Sequence, residues 1–341
     1  MMSREQDQQA QQDSAAGPDA APDRSAAARA RRFDREHARS LRALAYRMLG
    51  SRAEAEDIVQ EAWLRWAEVN EGEVRHAGAF LSRLVTNLCL DRLRSPAQQR
   101  ELYVGTWLPE PLVDDLQGWQ PDPQSQAEYA QELSLAFMLA LERLTPLERA
   151  AFVLHDVFGL DFEAVAGHLS RSVAACRQLS LRARAHVKAG YARVNLEEVE
   201  RQRLLQAFLS ALASGDVDRL AKVLADDAVL LADGGGKVNA VPRPLRGGAR
   251  IAKTLVGFSK LVDLGQLCLQ LTPINGLPGY VLFDARGCAI QSVALAPRAG
   301  DGRVLTIYVQ LNPDKLRHLA LPKDLVPISE LDVTSGRAMS S

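Results

Sequence analysis

The sequence predicts a multidomain chain in which two all-α units precede an α+β unit. Three observations predict it. Apolar side chains recur at three- and four-residue spacing from Phe33 to about Arg94 and again from about Ala127 to Asn195. Between these blocks Pro96, Pro109, Pro111, Pro121 and Pro123 break any helix. Beyond about residue 213 the pattern becomes short alternating runs separated by Gly-containing turns. The expected division is a disordered leader (1–30), a helical unit (31–95), a linker (96–126), a second helical unit (127–195), the α+β unit (196–323) and a frayed tail (324–341).

A length of 341 residues suits two or three domains, and 47% hydrophobic with 24% charged residues excludes a fibrous or wholly disordered protein. Lys+Arg 41 against Asp+Glu 42 leaves a net charge of −1, so any polyanionic partner must be argued from local charge. Cys89, Cys176, Cys268 and Cys288 stand singly in apolar stretches. That excludes zinc ribbons and disulfide scaffolds and predicts buried thiols in a reducing compartment. No apolar window approaches the ~18 residues of a membrane span, and no basic-then-apolar start marks a signal peptide. A cytoplasmic protein is expected, with no membrane, metal or cofactor.

Residues 1–30 hold no aromatic and almost no large aliphatic side chain, too little apolar area to offset the entropy of ordering. In the first unit Leu41, Leu44, Ala45, Met48 and Leu49 form one helix face, which Gly50 ends. Ser51-x-x-Glu54 opens the next helix as a capping box. Its stripe is Ala55, Ile58, Val59, Ala62, Trp63 and Trp66; Glu54, Asp57, Glu61 and Arg65 mark a polar face. A helix from about Gly78 to Arg94 buries Phe80, Leu81, Leu84, Leu88 and Cys89 and turns Arg83, Asn87, Asp91, Arg92 and Arg94 outward. Several Arg with an Asn on one face suit a nucleic-acid backbone. The linker carries Trp107, Leu108, Leu112, Val113 and Trp119, too apolar for a free tether, so it packs on another surface.

In the second unit Thr145-Pro-Leu-Glu148 is another capping box, with Pro146 at the first helical position. Its helix buries Ala150, Ala151, Val153, Leu154 and Val157 and stops at Gly159. Asp161 caps a short helix, and a tight turn at Ser170-Arg171 leads into a longer helix from Ser172. Short helix, turn, longer helix is the helix-turn-helix arrangement, whose second member lies in the major groove. Between Ala164 and Leu196 stand Arg171, Arg177, Arg182, Arg184, Lys188 and Arg193 with no Asp or Glu, and that local excess points to duplex DNA. Arg171, Arg177 and Gln178, with Ser172 at the helix start, are placed nearest base edges; Arg182, Arg184 and Lys188 are placed on phosphates.

In the α+β unit a helix over about 197–213 buries Leu204, Leu205, Phe208 and Leu212, and Val217 to Leu224 extends the helical part. Strands are expected at Ala228–Leu231, Gln266–Thr272, Tyr280–Phe283, Ala289–Ala294 and Arg303–Leu311, turning at Asn275-Gly276, Arg286-Gly287 and Asp301-Gly302 as an antiparallel sheet. The stretch Asp233-Gly-Gly-Gly-Lys237 lacks the phosphate-loop spacing. Its glycines instead let backbone approach another surface closely, either the first unit or Trp107–Pro111. Asn312-Pro313 ends the last strand, and Asp314-Lys315-Leu316 begins a terminal helix. Asp233, Asp284 and Tyr308 are available acids or donors, and His318 is expected at the surface. Nothing aims them at one cavity, so no catalytic residue is assigned and no enzyme is expected.

The order of the two helical blocks resembles bacterial sigma factors of the extracytoplasmic-function (ECF) class, which keep only regions 2 and 4. The run Ala53–Leu64 resembles region 2.2, which implies docking on the clamp helices of the RNA polymerase β′ subunit through Asp57, Gln60, Glu61 and Trp63. Phe80–Arg94 resembles the helix of regions 2.3–2.4, which implies that Arg83, Asn87, Asp91 and Arg94 meet the minus-ten element. Leu144–Arg149 and Arg177–Arg184 resemble region 4, the reader of the minus-thirty-five element, with the β flap as a second polymerase contact. Ala164-Val165-Ala166 departs from the Glu-Ile-Ala triplet of many members.

Three further motifs resemble group 41 of that class, the SigJ type: Trp107-Leu108-Pro109-Glu110-Pro111, Asp233-Gly234-Gly235-Gly236-Lys237 and Asn312-Pro313-Asp314-Lys315-Leu316. The resemblance implies a SnoaL-like extension with a cone-shaped NTF2-like fold that regulates activity from within the chain, through these motifs and without a dedicated anti-sigma factor. The expected partners are RNA polymerase core enzyme and promoter DNA, the chain being a monomer before holoenzyme assembly. A small ligand in the cone stays open. Two alternatives stand beside this reading: a ligand-responsive helix-turn-helix regulator, which leaves the Glu54–Trp66 helix without a task, and a SnoaL-like enzyme fused to DNA-binding parts.

Overall fold

The computed structural model describes residues 24–94, 103–113, 116–120, 132–190, 197–260, 267–319, 326–327, 331–332 and 337–338. Most of the expected leader, and parts of the linker and tail, lie outside these residues.

Helices α1 (Arg24–Phe33), α2 (Arg39–Leu49), α3 (Arg52–Glu68) and α4 (Ala77–Arg94) make the first unit. Helix α1 begins within the stretch expected to be a disordered leader. Charge holds it rather than an apolar stripe: Arg29 donates to the carbonyls of Ala67 and Val69, pairs with Glu71 and lies 5.1 Å from the Trp66 ring centre. Helix α2 ends at Gly50 in the left-handed region, φ +70°. At the start of α3 the Ser51 hydroxyl accepts from the Glu54 N–H, but Glu54 does not return the favour. The expected capping box is therefore only half formed, and a carboxylate from the linker accepts from the Ala53 N–H, a different donor of the first turn.

The second unit comprises α5 (Leu135–Glu142), α6 (Pro146–Phe152), α7 (Phe162–Leu169) and α8 (Val173–Gly190). Here the Thr145–Glu148 capping box is complete, and α6 runs on through Val157 as a wider π turn. Ser170, φ +51°, makes the turn into α8. The two units do not stand apart. Their buried side chains form one continuous core from Phe33 to Val187, joined by Leu112 and Trp119 of the linker. Arg149, only 2% exposed, sews them together by donating to the Met48 carbonyl at 2.7 Å and pairing with Glu142 at 2.9 Å.

The third unit opens with α9 (Glu198–Ala213) and α10 (Val217–Val223). Its strands are β1 (Leu224–Asp233), β2 (Leu245–Arg246), β3 (Cys268–Leu271), β4 (Gly279–Phe283), β5 (Ala289–Pro297), β6 (Val304–Gln310) and β7 (Val326–Pro327), in the sheet order β2-β1-β6-β5-β4-β3-β7. The β1–β6 pair is parallel, unlike the expected antiparallel sheet, because α11 (Gly248–Ser259) and the β3–β5 meander carry the chain around before β6 enters beside β1. Sequence patterning missed α11 and β2; the stripe of Ile251, Ala252 and Val256 is short and lies between glycines. Asn275 and Gly276, at φ +49° and +77°, make the β3–β4 turn that a two-residue hairpin demands. Val326–Pro327 of the expected frayed tail pairs with β3. Cys89 and Cys176 are buried as expected, whereas Cys268 is half-buried and Cys288 exposed.

Strand alternation gives the sheet two apolar faces. Leu230, Ala232, Tyr280, Val293, Leu295, Ile307 and Val309 face α9–α11. Their neighbours Val281, Phe283, Ala294 and Tyr308 face the other way, onto Leu108 of the linker and Leu135 of α5. The third unit therefore covers itself on one side only. The linker and the second unit complete the other. No helix among the described residues is long and apolar enough to cross a membrane.

Candidate functional site

Three surfaces and one junction follow from this packing. On α8 and the turn before it, Arg171, Ser172, Arg177, Gln178, Arg182, Arg184 and Lys188 are all exposed, while Cys176, Leu179, Ala183 and Val187 face the core. The Ser172 hydroxyl is occupied as the helix cap, accepting from the Ala175 N–H at 3.2 Å. Arg182 pairs with Glu148 at 2.9 Å and Arg184 with Asp156 at 2.5 Å, so both also hold α8 against α6. Arg177 stands 3.9 Å from Glu163 and over the Phe162 ring. Leu181, 60% exposed, sits at the centre of the Arg177–Gln178–Lys188 face, a position the charge count could not pick out.

Arg83, Asn87, Asp91 and Arg94 form one exposed side of α4, with Arg94 paired to Asp91 at 3.2 Å. The Arg83 charge also reaches His168 of the second unit, whose imidazole is held below its usual range by burial, with Arg83 adding to the shift. On α3, helical spacing puts Asp57, Gln60 and Glu61 on one side. Trp63 is not with them; its ring packs on Phe33 at 5.2 Å between centroids. Leu64, 58% exposed, takes the place beside Asp57, Gln60 and Glu61 that sequence reading gave to Trp63.

The junction is the linker segment 103–113, gripped from both sides. Toward the third unit, Asp233, fully buried, accepts from the Tyr103 hydroxyl at 2.6 Å, the Leu108 N–H at 2.9 Å, Lys315 Nζ at 2.8 Å and the Gly235 N–H at 3.0 Å. Lys315 Nζ also donates to the Leu108 carbonyl at 2.6 Å and lies 4.5 Å and 5.0 Å from the ring centres of Trp107 and Tyr103. Burial lowers the Lys315 pKa, and the Asp233 carboxylate opposes that shift. Burial likewise raises the Tyr103 pKa, with Asp233 adding to it. Asn312 donates to the Tyr103 oxygen at 3.0 Å and caps α12 (Pro313–Leu316); Lys237 pairs with Asp314. A Cβ on Gly235 would stand 2.3 Å from Asn312 Nδ2, so the glycine loop lies flush on the helix cap.

Toward the first unit, Glu110 caps α3. Its Oε2 accepts from the Ser51 hydroxyl at 2.8 Å and the Ala53 N–H at 3.2 Å, its own N–H donates to the Gly50 carbonyl, and the Tyr46 hydroxyl donates to its carbonyl. His318 is not on the surface. Its Nδ1 lies at ion-pair distance, 3.0 Å, from Glu110 Oε1, and Nε2 meets the Pro111 carbonyl at 2.8 Å. Burial would raise the Glu110 pKa, but His318, Ser51 and the Ala53 N–H outweigh it and hold the carboxyl below its usual value. Trp107 fills the space against Gly50, where a Cβ would come within 2.5 Å of the ring. At the far end Asn275, 2% exposed, accepts from the Leu112 N–H and donates to the Tyr46 hydroxyl and the Leu133 carbonyl. Four parts of the chain thus meet at one side chain.

The acids offered for catalysis do not converge. Asp233 is spent in the junction, Asp284 accepts from the Arg286 and Cys288 N–H groups of its own turn, and Tyr308 faces Leu108. Burial pushes the Tyr308 pKa up to about 12.

Comparison with known proteins bears on these surfaces together. The family models for sigma-70 region 2 and sigma-70 region 4 match residues 33–100 and 134–187. The ECF RNA polymerase sigma factor SigJ of Mycobacterium tuberculosis is 37% identical over 285 residues, covering 81% of this chain and 89% of that protein. The chain belongs to the ECF RNA polymerase sigma factors. The probable ECF sigma factor SigI of the same organism is 30% identical over 83% of this chain and 93% of its own. The crystal structure of SigJ is similar with a TM-score of 0.61 at 33% identity, covering 81% of this chain and 94% of that one. These spans exceed regions 2 and 4, so the third unit of this sigma factor is part of the likeness. Sequence reading missed four members of its junction. Tyr46 fell outside the expected helix face, Tyr103 stood before the recognised motif, Asn275 looked like an ordinary turn residue, and His318 lay beyond the last expected strand. Only their partners, far away in sequence, reveal them.

Proposed function

We propose that this sigma factor is held closed by its own C-terminal unit and reads a promoter only after the 103–113 strap is released. One observation carries the reading: regions 2 and 4 share a single core while the strap between them is bonded on both sides. The minus-ten and minus-thirty-five elements lie about 25 base pairs apart, roughly 85 Å along B-DNA at ~3.4 Å per pair. Two small helical units in one core lie within about 40 Å of each other. The chain from Arg94 to Leu135 is about forty residues long, which spans at most ~130 Å when extended. Released, the strap reaches; clamped, it does not.

In the open form α8 enters the major groove, with Arg171, Arg177 and Gln178 toward base edges and Arg182, Arg184 and Lys188 toward phosphates. The Arg83, Asn87, Asp91 and Arg94 side of α4 meets the minus-ten strand. Asp57, Gln60 and Glu61, joined by Leu64, dock on β′, and region 4 meets the β flap. Run-off transcription with core polymerase tests the reading: a chain ending at Asn195, or one carrying Asp233→Ala, initiates more often than the full chain. Equal initiation by all three removes the C-terminal unit's regulatory part.

A further inference from the structure

On the helix-covered side of the sheet a cavity of about 250 Å³ is lined by Leu230, Ala232, Val309 and Leu311 from the strands, by Thr254, Leu255 and Phe258 of α11, by Gln291, and by Asn239, Ala240 and Val241. Among the described residues no charged side chain lines it. Gln291 and Asn239 bring carboxamides that make no hydrogen bond to any described residue, and Phe258, 53% exposed, forms an apolar lip. An apolar cavity of about 150 Å³ holds benzene, so this one has room for on the order of ten non-hydrogen atoms.

The walls of the cavity are also the back of the strap's grip. Along β1, Ala232 faces the cavity and Asp233 the strap; beyond, Val309 and Leu311 face the cavity while Gln310 and Asn312 face the strap. The cavity's Asn239–Val241 limb is the returning arm of the glycine loop. A Cβ on Gly234 would stand 2.3 Å from the Val238 carbonyl and 2.9 Å from Ala240, and one on Gly236 would touch Val104 of the strap at 3.1 Å. The glycine loop thus touches that limb on one side and Asn312 and Val104 on the other.

We propose that this cavity binds a small neutral molecule, mostly hydrocarbon with one hydrogen-bonding group, and that its occupancy holds the strap clamped. The inference rests on the closed-to-open reading above. The cavity exists in the closed form, and a ligand touching Asn239, Ala240 and Val241 finds them in place there. Differential affinity for the closed form is what shifts the balance toward it.

Fluorine NMR on the full chain tests the site with neutral 5-fluoroindole and 4-fluorobenzyl alcohol, and with anionic 4-fluorobenzoate as the charged counterpart. Saturable binding of a neutral probe is expected, at least tenfold weaker for the anion and for Thr254→Phe. Val241→Trp serves as a second blocking variant, and circular dichroism shows that each is folded. At saturation, hydrogen exchange of strap amides 103–113 slows at least twofold. No saturable binding of either neutral probe, or equal binding of the anion, overturns the site; saturable binding with unchanged strap exchange overturns the coupling. Neither result bears on truncation at Asn195, which tests the underlying reading separately.

Discussion

Asp233 and Lys315 are the pair on which the clamp turns. With the carboxylate at 0% exposure and the ammonium side chain at 13%, each depends on the other for solvation. Removing one partner of such a pair costs about 3–5 kcal/mol, whereas replacing both with neutral groups of similar size costs much less. Asp233→Ala should therefore speed hydrogen exchange at Leu108 by at least tenfold, and Asp233→Asn combined with Lys315→Met should recover part of the loss. A double variant that is worse than Asp233→Ala would contradict the pairing. Glu110 gives the pH dependence. Its folded pKa is depressed, so its contribution to the closed form is full above the unfolded value of ~4.3 and fades as pH falls through the depressed value. With the intrinsic exchange rate at each pH divided out, strap protection measured from pH 6 downward should fall below about pH 4.3 in the native chain, and Glu110→Gln should lack that step. Arg47 is a second buried cation at this scale. Its guanidinium donates to the Ala43, Trp119 and Glu132 carbonyls, and burial lowers its pKa to about 10.

Among the elements, the recognition helix was the most legible, because its evidence is local: a capped short helix, a tight turn and a run of basic residues without an acid. Arg177→Ala is expected to cost about 1–3 kcal/mol of discrimination at one base pair of the minus-thirty-five element. Competition binding of holoenzyme to a promoter library checks it, and an unchanged sequence preference would assign Arg177 elsewhere. What the local pattern could not give is which of these arginines is already engaged; Arg182 and Arg184 pair with Glu148 and Asp156 across the unit. The Ser51–Glu54 box failed for the same reason. Glu54 had the right spacing, but Glu110, arriving from over fifty residues away, offers the Ala53 N–H a carboxylate of its own. Helix α1 was lost because it packs through Arg29 on Trp66 rather than through an apolar stripe. Gly50 was read correctly as a helix end, yet its second task is visible only with Trp107 beside it. Gly50→Ala should lower the midpoint of thermal unfolding and loosen the strap together, since it strains the φ +70° backbone and presses a methyl into the Trp107 ring.

Over the whole molecule, composition and periodicity separated the helical units from the sheet unit, because each has its own period of burial. They could not say that regions 2 and 4 share a core or that the sheet's second face is covered by Leu108 and Leu135. Those contacts join residues from several tens to more than a hundred positions apart, and each would read as ordinary burial in any other partner. The proposed closed state holds regions 2 and 4 together until promoter engagement. It is tested most directly by the distance between spin labels at Ala67 on α3 and Ala189 on α8, with Cys288 replaced by Ser. The free full chain should show one population within about 40 Å, moving tens of ångströms outward in holoenzyme on promoter DNA. A free chain already spread, or the same short distance in the promoter complex, would contradict it.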